Sequence, residues 1–180
     1  MSKELCIVLV GPPCSGKSAV GKEVASKIRA TYISSGDIAR EMAKHDAVIN
    51  ADLSAGYMAP EDSMRNIIAD KICFELNLPF KTIFILDGFP RFGDQAKWLC
   101  DNFGNALDIK YVMFSVSLST IIKRSAHRGR DDDKSLERRL SYYSGVTFPE
   151  LCGYIDHYID AENNSIEECS ELLIKYIKRR

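Results

Sequence analysis

Six apolar residues, Leu5 to Val10, run straight into Gly11-Pro12-Pro13-Cys14-Ser15-Gly16-Lys17-Ser18, a complete G-x-x-x-x-G-K-[ST] loop. Helically spaced residues from Ser18 to Ile28 follow at once. This order leaves little freedom of fold: a buried strand feeds a glycine-bearing turn, and the turn opens a helix whose positive end faces the strand's exit. Backbone N–H groups and that helix end converge on an anion, Lys17 adds a mobile positive charge, and Ser18 offers a hydroxyl to Mg2+. The loop predicts a site for nucleotide phosphates without saying what receives the phosphate.

A chain of 180 residues with 46% apolar content can bury one substantial core, so residues 1–180 are expected to form a single domain. The formal net charge is −1, with Lys and Arg spread along the chain, which gives no electrostatic support to a nucleic-acid or membrane partner. The six cysteines form no C-x-x-C pair and suggest reduced thiols in a cytoplasmic setting, with no zinc site. Leu5 to Val10 is too short to span a bilayer, and the N-terminus lacks the basic and small-residue pattern of a leader. A soluble, cytoplasmic protein is expected.

Further strand-length apolar runs occur at Thr82 to Leu86 and Ile109 to Val116, with shorter strands expected at Thr31 to Ile33 and Tyr154 to Asp160. Helical spacing runs from Asp62 to Leu76, from Gly93 or Asp94 to Leu99, and from about Ser165 to Lys178. Pro60, Glu61 and Asp62 fit the first turn of a helix. Strand alternating with helix implies α/β architecture, a parallel sheet covered on both faces. Two stretches break the rhythm: residues 38–76 supply two or three helices where one crossover would do, and Arg124 to Asp133 reads as a polar turn between helices. Insertions at strand C-terminal ends flank ligands in such sheets, which makes both candidate lids.

Three polar constellations accompany the loop. Ser34-Ser35-Gly36-Asp37-Ile38-Ala39-Arg40 follows the second strand and places Arg40 in the first turn of a helix, although Ser-Gly-Asp is also an ordinary N-cap. Leu86-Asp87-Gly88-Phe89-Pro90-Arg91 closes the third strand at the loop's own edge; Asp87 can help hold Mg2+ through water and Arg91 can reach phosphates, while Asp-Gly and Phe-Pro are also common turn chemistry. Arg124, Arg128 and Arg130 precede Asp131, Asp132 and Asp133, with Arg138 and Arg139 close behind. This cluster reads either as an anion clamp or as a solvated face whose charges neutralise each other.

In order and spacing, GPPCSGKS, SSGDIAR, MAPED, LDGFPR with Gln95, RGRDDD, the RRL of Arg138 to Leu140 and IDAENNSIEE resemble the nucleoside monophosphate kinases, above all the adenylate kinase family. The resemblance spans nearly the whole chain. It implies a P-loop three-layer sandwich with a central five-stranded parallel sheet, helices on both faces, a mobile helical monophosphate-binding insertion at about 36–66 and a short lid at about 124–134. It also implies reversible phosphoryl transfer from Mg-ATP to a nucleoside monophosphate, with AMP giving two ADP. By resemblance, Gly11, Pro12, Pro13, Cys14, Ser15, Gly16, Lys17 and Ser18 hold ATP, and Arg124 contacts it. Ser35, Gly36, Arg40, Gly88, Arg91 and Gln95 hold AMP, with the Gln95 amide pairing an adenine edge as acceptor and donor together. Lys17, Arg91, Arg124, Arg130 and Arg139 stabilise the transfer, Arg128, Asp132 and Asp133 act in the lid, and Ser18 and Asp87 hold Mg2+ through water.

The sequence departs from that family in places. Cys14 stands where a glycine is usual, so the backbone there either avoids positive φ or tolerates strain. Ser18-Ala19 replaces the usual Gly-Thr, and Thr120 stands where an arginine often stacks on the ATP adenine, which implies broader use of donor triphosphates. His45, His127 and His157 have no catalytic spacing, and Trp98 and the tyrosines read as core or surface. Two readings compete with AMP kinase: UMP/CMP kinase, and a nucleotide-binding regulatory or assembly module without turnover. Neither a D-x-x-G after the third strand nor an N-K-x-D supports a GTP switch. A monomer acting on small molecules is expected.

Overall fold

The structure, a computed structural model, describes residues 3–80, 82–128 and 133–180. Its strands are β1 (Glu4–Val10), β2 (Thr31–Ser34), β3 (Phe84–Asp87), β4 (Leu107–Ser115) and β5 (Ile155–Asp160). Its helices are α1 (Lys17–Ile28), α2 (Ser35–Ala43), α3 (Ala47–Ser54), α4 (Glu61–Leu76), α5 (Gly93–Phe103), α6 (Leu118–Arg128), α7 (Asp133–Tyr142), α8 (Phe148–Leu151) and α9 (Ile166–Ile177). A π-helical turn, Tyr143–Thr147, joins α7 to α8. The five strands form one sheet in the order β2-β3-β1-β4-β5, with every pairing parallel.

Alternation along β1 explains the layers. Cys6, Val8 and Val10 enter one apolar cluster with Ile68 and Ile72 of α4 and Leu99 of α5. Ile7 and Leu9 enter the other, with Val20 and Val24 of α1 and Leu173 of α9. A strand buried on both faces has to read as a continuous apolar run, and Leu5 to Val10 does. Because the strands are parallel, their C-terminal ends share one edge. Register brings Leu9 of β1 and Ser34 of β2 level with Asp87 of β3. The phosphate loop, the segment after β2 and the segment after β3 therefore emerge side by side, at the point where strand order reverses around β1.

Several expected boundaries move. The third strand begins at Phe84 rather than Thr82; Thr82 is buried and its hydroxyl lies 3.2 Å from that of Thr31, ahead of the ladder. The fourth begins at Leu107. The helix after Gly93 continues past Leu99 to Phe103, because Leu99 and Phe103, one turn apart, are both buried. Pro60 is the N-cap of α4 and not part of its first turn. Arg124 belongs to α6, not to a turn, since buried Ile121 and Ser125 keep a packed face to that point. Arg40 falls in the second turn of α2, because that helix begins at Ser35. The fifth strand and the terminal helix lie where expected, the latter opened by a capping box between Ser165 and Glu168.

Neighbouring leucines on α9 test this layering. Leu173 is fully buried and Leu172 is 39% exposed. Leu173→Ala is expected to cost about 2–5 kcal/mol, and Leu172→Ala less than about 1 kcal/mol, read as denaturant midpoints at unchanged slope. Equal losses would contradict the packing of α9 on the sheet.

Candidate active site

The loop between β1 and α1 forms the floor of a cavity of about 370 Å³. Gly16 at φ 92° is the N-cap of α1, and no side chain caps the helix, so its positive end faces the cavity. Lys17 folds back to donate to the Pro12 carbonyl at 3.1 Å. Pro13, Cys14, Ser15, Gly16, Lys17 and Ser18 all line this space, whereas Gly11 lines a neighbouring groove and Pro12 is buried beneath the loop. Cys14 adopts φ 59°, the left-handed region that favours glycine. Of the two outcomes left open by the sequence, strain tolerated is the one observed.

Cations from four helices and a loop surround the floor. Among the described residues, six cationic ones line the cavity, Lys17, Lys22, Arg40, Arg91, Arg124 and Arg139, against two carboxylates, Asp37 and Asp87. Arg91 donates through Nε to the Gly88 carbonyl at 2.8 Å, and burial together with the neighbouring Arg139 pushes its pKa down. Burial and a like charge both disfavour the charged form of the Arg91 guanidinium, and an anion bound beside it offsets that cost. Arg124 donates to the Ser15 carbonyl at 3.2 Å and to the Ala161 carbonyl at 2.8 Å, which joins α6 to the phosphate loop and to the exit of β5. Arg40 pairs with Asp37, which Lys22 of α1 also holds at 3.1 Å. Burial pushes the Asp37 carboxyl upward, but hydrogen bonds from Lys22 and Arg40 outweigh it and hold the group below its ordinary value.

A second cavity of about 160 Å³ adjoins the first. The two share Gly36, Arg40, Gly88, Arg91 and Arg139, so three arginines stand at their common wall. The remaining lining includes Ser35, Met64, Phe89 and Gln95. Gly88 has φ 75°, and a Cβ there would come within 2.6 Å of Ser35 Oγ. That close approach lets Ser35 donate to the Gly88 carbonyl at 2.6 Å and tie the segments after β2 and β3 together. Gln95 Oε1 accepts from the Arg91 backbone N–H at 2.8 Å. Its oxygen is therefore partly committed, and what it offers the cavity is chiefly its amide N–H donors, a narrower role than the pairing expected from sequence.

Asp87 is 4% exposed at the end of β3. Its Oδ2 accepts from the Tyr32 hydroxyl at 2.7 Å, while Oδ1 is buried with no hydrogen-bond partner among the described residues. Burial and the adjacent Asp87 carboxylate push the Tyr32 phenol well above its ordinary pKa. An orphaned carboxylate oxygen and the Ser18 hydroxyl on one cavity form a hard-oxygen donor set that fits Mg2+.

Sequence reading missed Tyr32, Lys22 and Asp37 as cavity residues. Their signals were weak: a tyrosine in a short strand and a lysine on a helix acquire meaning only through the β2-β3-β1 order. Arg138, next to Arg139, turns away from the cavity, bonds to the Ala55 carbonyl and stacks 4.4 Å from the Tyr57 ring centroid. Asp133 opens α7 on an exposed face. Arg130 and Asp132 lie outside the described residues, as does the side chain of Arg128. His45 and His127 are exposed, and His157 stacks on Tyr176.

Residues 9–162 match a family model described as adenylate kinase. The adenylate kinase of Corynebacterium aurimucosum is 30% identical over 91% of this chain and 94% of its own length. That of Rickettsia typhi is 34% identical over 93% and 92%, and that of Encephalitozoon cuniculi 31% identical over 84% of each chain.

The left-handed residue in the loop gives a direct test. Cys14→Gly removes a conformational cost of about 1–2 kcal/mol and loses about 0.4–1 kcal/mol through the freer unfolded chain. A net gain of between zero and about 1.6 kcal/mol in unfolding free energy is expected, and a loss of stability would contradict the left-handed assignment.

Proposed function

The chain belongs to the adenylate kinase family, and we propose that its two adjoining cavities hold the donor and the acceptor of one phosphoryl transfer. The activity is reversible transfer of the γ-phosphoryl group of ATP to AMP, giving two ADP. The observation that carries the assignment of the cavities is their shared wall of Arg40, Arg91 and Arg139. A module that only bound ATP would need no second cavity opening on that wall.

In this reading Gly11 to Ser18 cradle the ATP phosphates, with Lys17 on the transferring end and Arg124 bridging to the triphosphate. Arg40 and Arg91 take the phosphate of AMP, Ser35, Gly36 and Gly88 shape its bed, and Gln95 donates to the base. Asp87 and Ser18 would hold Mg2+ through water, and the ion would supply charge neutralisation and alignment for the phosphates. The chemistry calls for little acid–base help. A loose transition state needs the attacking and leaving oxygens in line and its spread charge matched, a role for Lys17, Arg91, Arg124 and Arg139, which line the cavity, and for Arg130 by the family motif.

The insertion at about 36–66 and the lid at about 124–134 are the parts that close over substrates and exclude water, with Arg128, Arg130, Asp132 and Asp133 acting in the lid. These lid roles rest on the family motif. In this reading the protein acts as a monomer on small molecules. Among the described residues no helix is long and apolar enough to cross a membrane, and the net charge of −1 favours neither a nucleic-acid nor a membrane partner. A cytoplasmic location fits six cysteines without a disulfide.

A coupled assay of ADP formation with ATP and each of AMP, CMP, UMP and GMP tests the acceptor. AMP is expected to be the best; a preference for CMP or UMP would favour the pyrimidine kinase alternative, and no turnover with any acceptor would sink the kinase reading. Arg91→Ala should lower kcat by about 100-fold or more while ATP affinity changes less than about threefold. Thr120, whose hydroxyl bonds to Glu162 at 2.7 Å, leaves the donor base without an arginine partner at that position. GTP and CTP should therefore serve as donors with AMP, and a strict ATP requirement would count against this.

A further inference from the structure

Tyr32 spends its hydroxyl on the acid at the end of β3. Its phenol donates to Asp87 Oδ2 at 2.7 Å, and the other carboxylate oxygen is buried with no hydrogen-bond partner among the described residues. The ring is held from α1. A Cβ at Gly21 would come within 2.9 Å of it, and Lys22 Nζ stands 5.7 Å from its centroid. Both Tyr32 and Asp87 line the space that also holds Lys17 and Ser18.

Unrestrained, an aspartate turns over a broad range about its terminal torsion, and its two oxygens exchange places at little cost. A hydrogen bond to one oxygen removes that exchange, just as outer-shell partners orient metal-ligating groups elsewhere. We infer that Tyr32 is a positioning residue for the metal-dependent transfer: by holding Asp87 Oδ2, its hydroxyl reserves Oδ1 for the water shell of Mg2+ on the bound phosphates. The inference rests on the proposed donor site and deepens it. The bland reading is that the phenol only satisfies a buried carboxylate, and that reading predicts no selective effect on the metal.

Tyr32→Phe removes the donor and keeps the ring. ATP affinity measured by calorimetry with Mg2+ and with a chelator separates the two readings, as does the Mg2+ concentration giving half-maximal rate. The chelated ATP affinity should change less than about twofold, while the Mg2+ requirement rises about 10-fold and the gain in ATP affinity on adding Mg2+ shrinks. Replacing Tyr32 by p-aminophenylalanine, which restores an N–H donor, should recover most of the loss, and p-methoxyphenylalanine, which has no donor, should not. Comparing those two with each other gives the same answer if Tyr32→Phe fails to fold, since both fill the para position. An unchanged Mg2+ requirement, or equal weakening of ATP with and without the metal, overturns the inference. Absence of ADP formation by the unaltered protein would instead overturn the proposed function.

Discussion

Arg91 and Arg139 line one cavity at the end of a parallel sheet, together with Arg40, Arg124 and Lys17, and this concentration of like charge is the constraint on which the site depends. Without an anion the protein restrains it by local means. Backbone carbonyls of Pro12, Ser15, Gly88 and Ala161 accept from these cations, and Asp37 pairs with Arg40 and Lys22. Such contacts hold these cations in place. In the proposed function a polyphosphate spanning both cavities meets these cations, so that binding and catalysis would draw on the same side chains.

The sheet makes the concentration possible. Parallel strands deliver all their exits to one edge, and the β2-β3-β1 order sets Ser34, Asp87 and Leu9 level there. The apolar run Leu5 to Val10 was legible because a strand buried on both faces cannot alternate, and the G-x-x-x-x-G-K-[ST] loop after it was legible because few other contexts join those residues. Arg40, Arg91, Arg124, Arg139, Gly36 and Gly88 were all singled out from sequence, and they line the cavities. Tyr32 was not, because its partner Asp87 lies 55 residues away and only strand order brings them together. Helix ends were read less well than helices: Arg124 looked like turn because the charged surface of α6 conceals the buried Ile121 and Ser125.

Local costs collect where the function is. Cys14 holds a left-handed backbone in the loop, Asp87 keeps an oxygen unpartnered, and Arg91 is charged against both burial and a like neighbour. Each is unfavourable alone, and each is supported by a rigid element: α1, β3 and the Gly88 carbonyl. The same rigidity fixes the geometry that a loose phosphoryl transfer requires.

The central claim is that one enclosed, cation-walled site passes a phosphoryl group between two nucleotides and not to water. Tracing the γ-phosphorus label of ATP in the presence of AMP tests it most directly. The account predicts that the label appears as the β-phosphate of the ADP formed from AMP, with release as inorganic phosphate a negligible fraction. Label accumulating as free phosphate, at a rate indifferent to AMP, would contradict it.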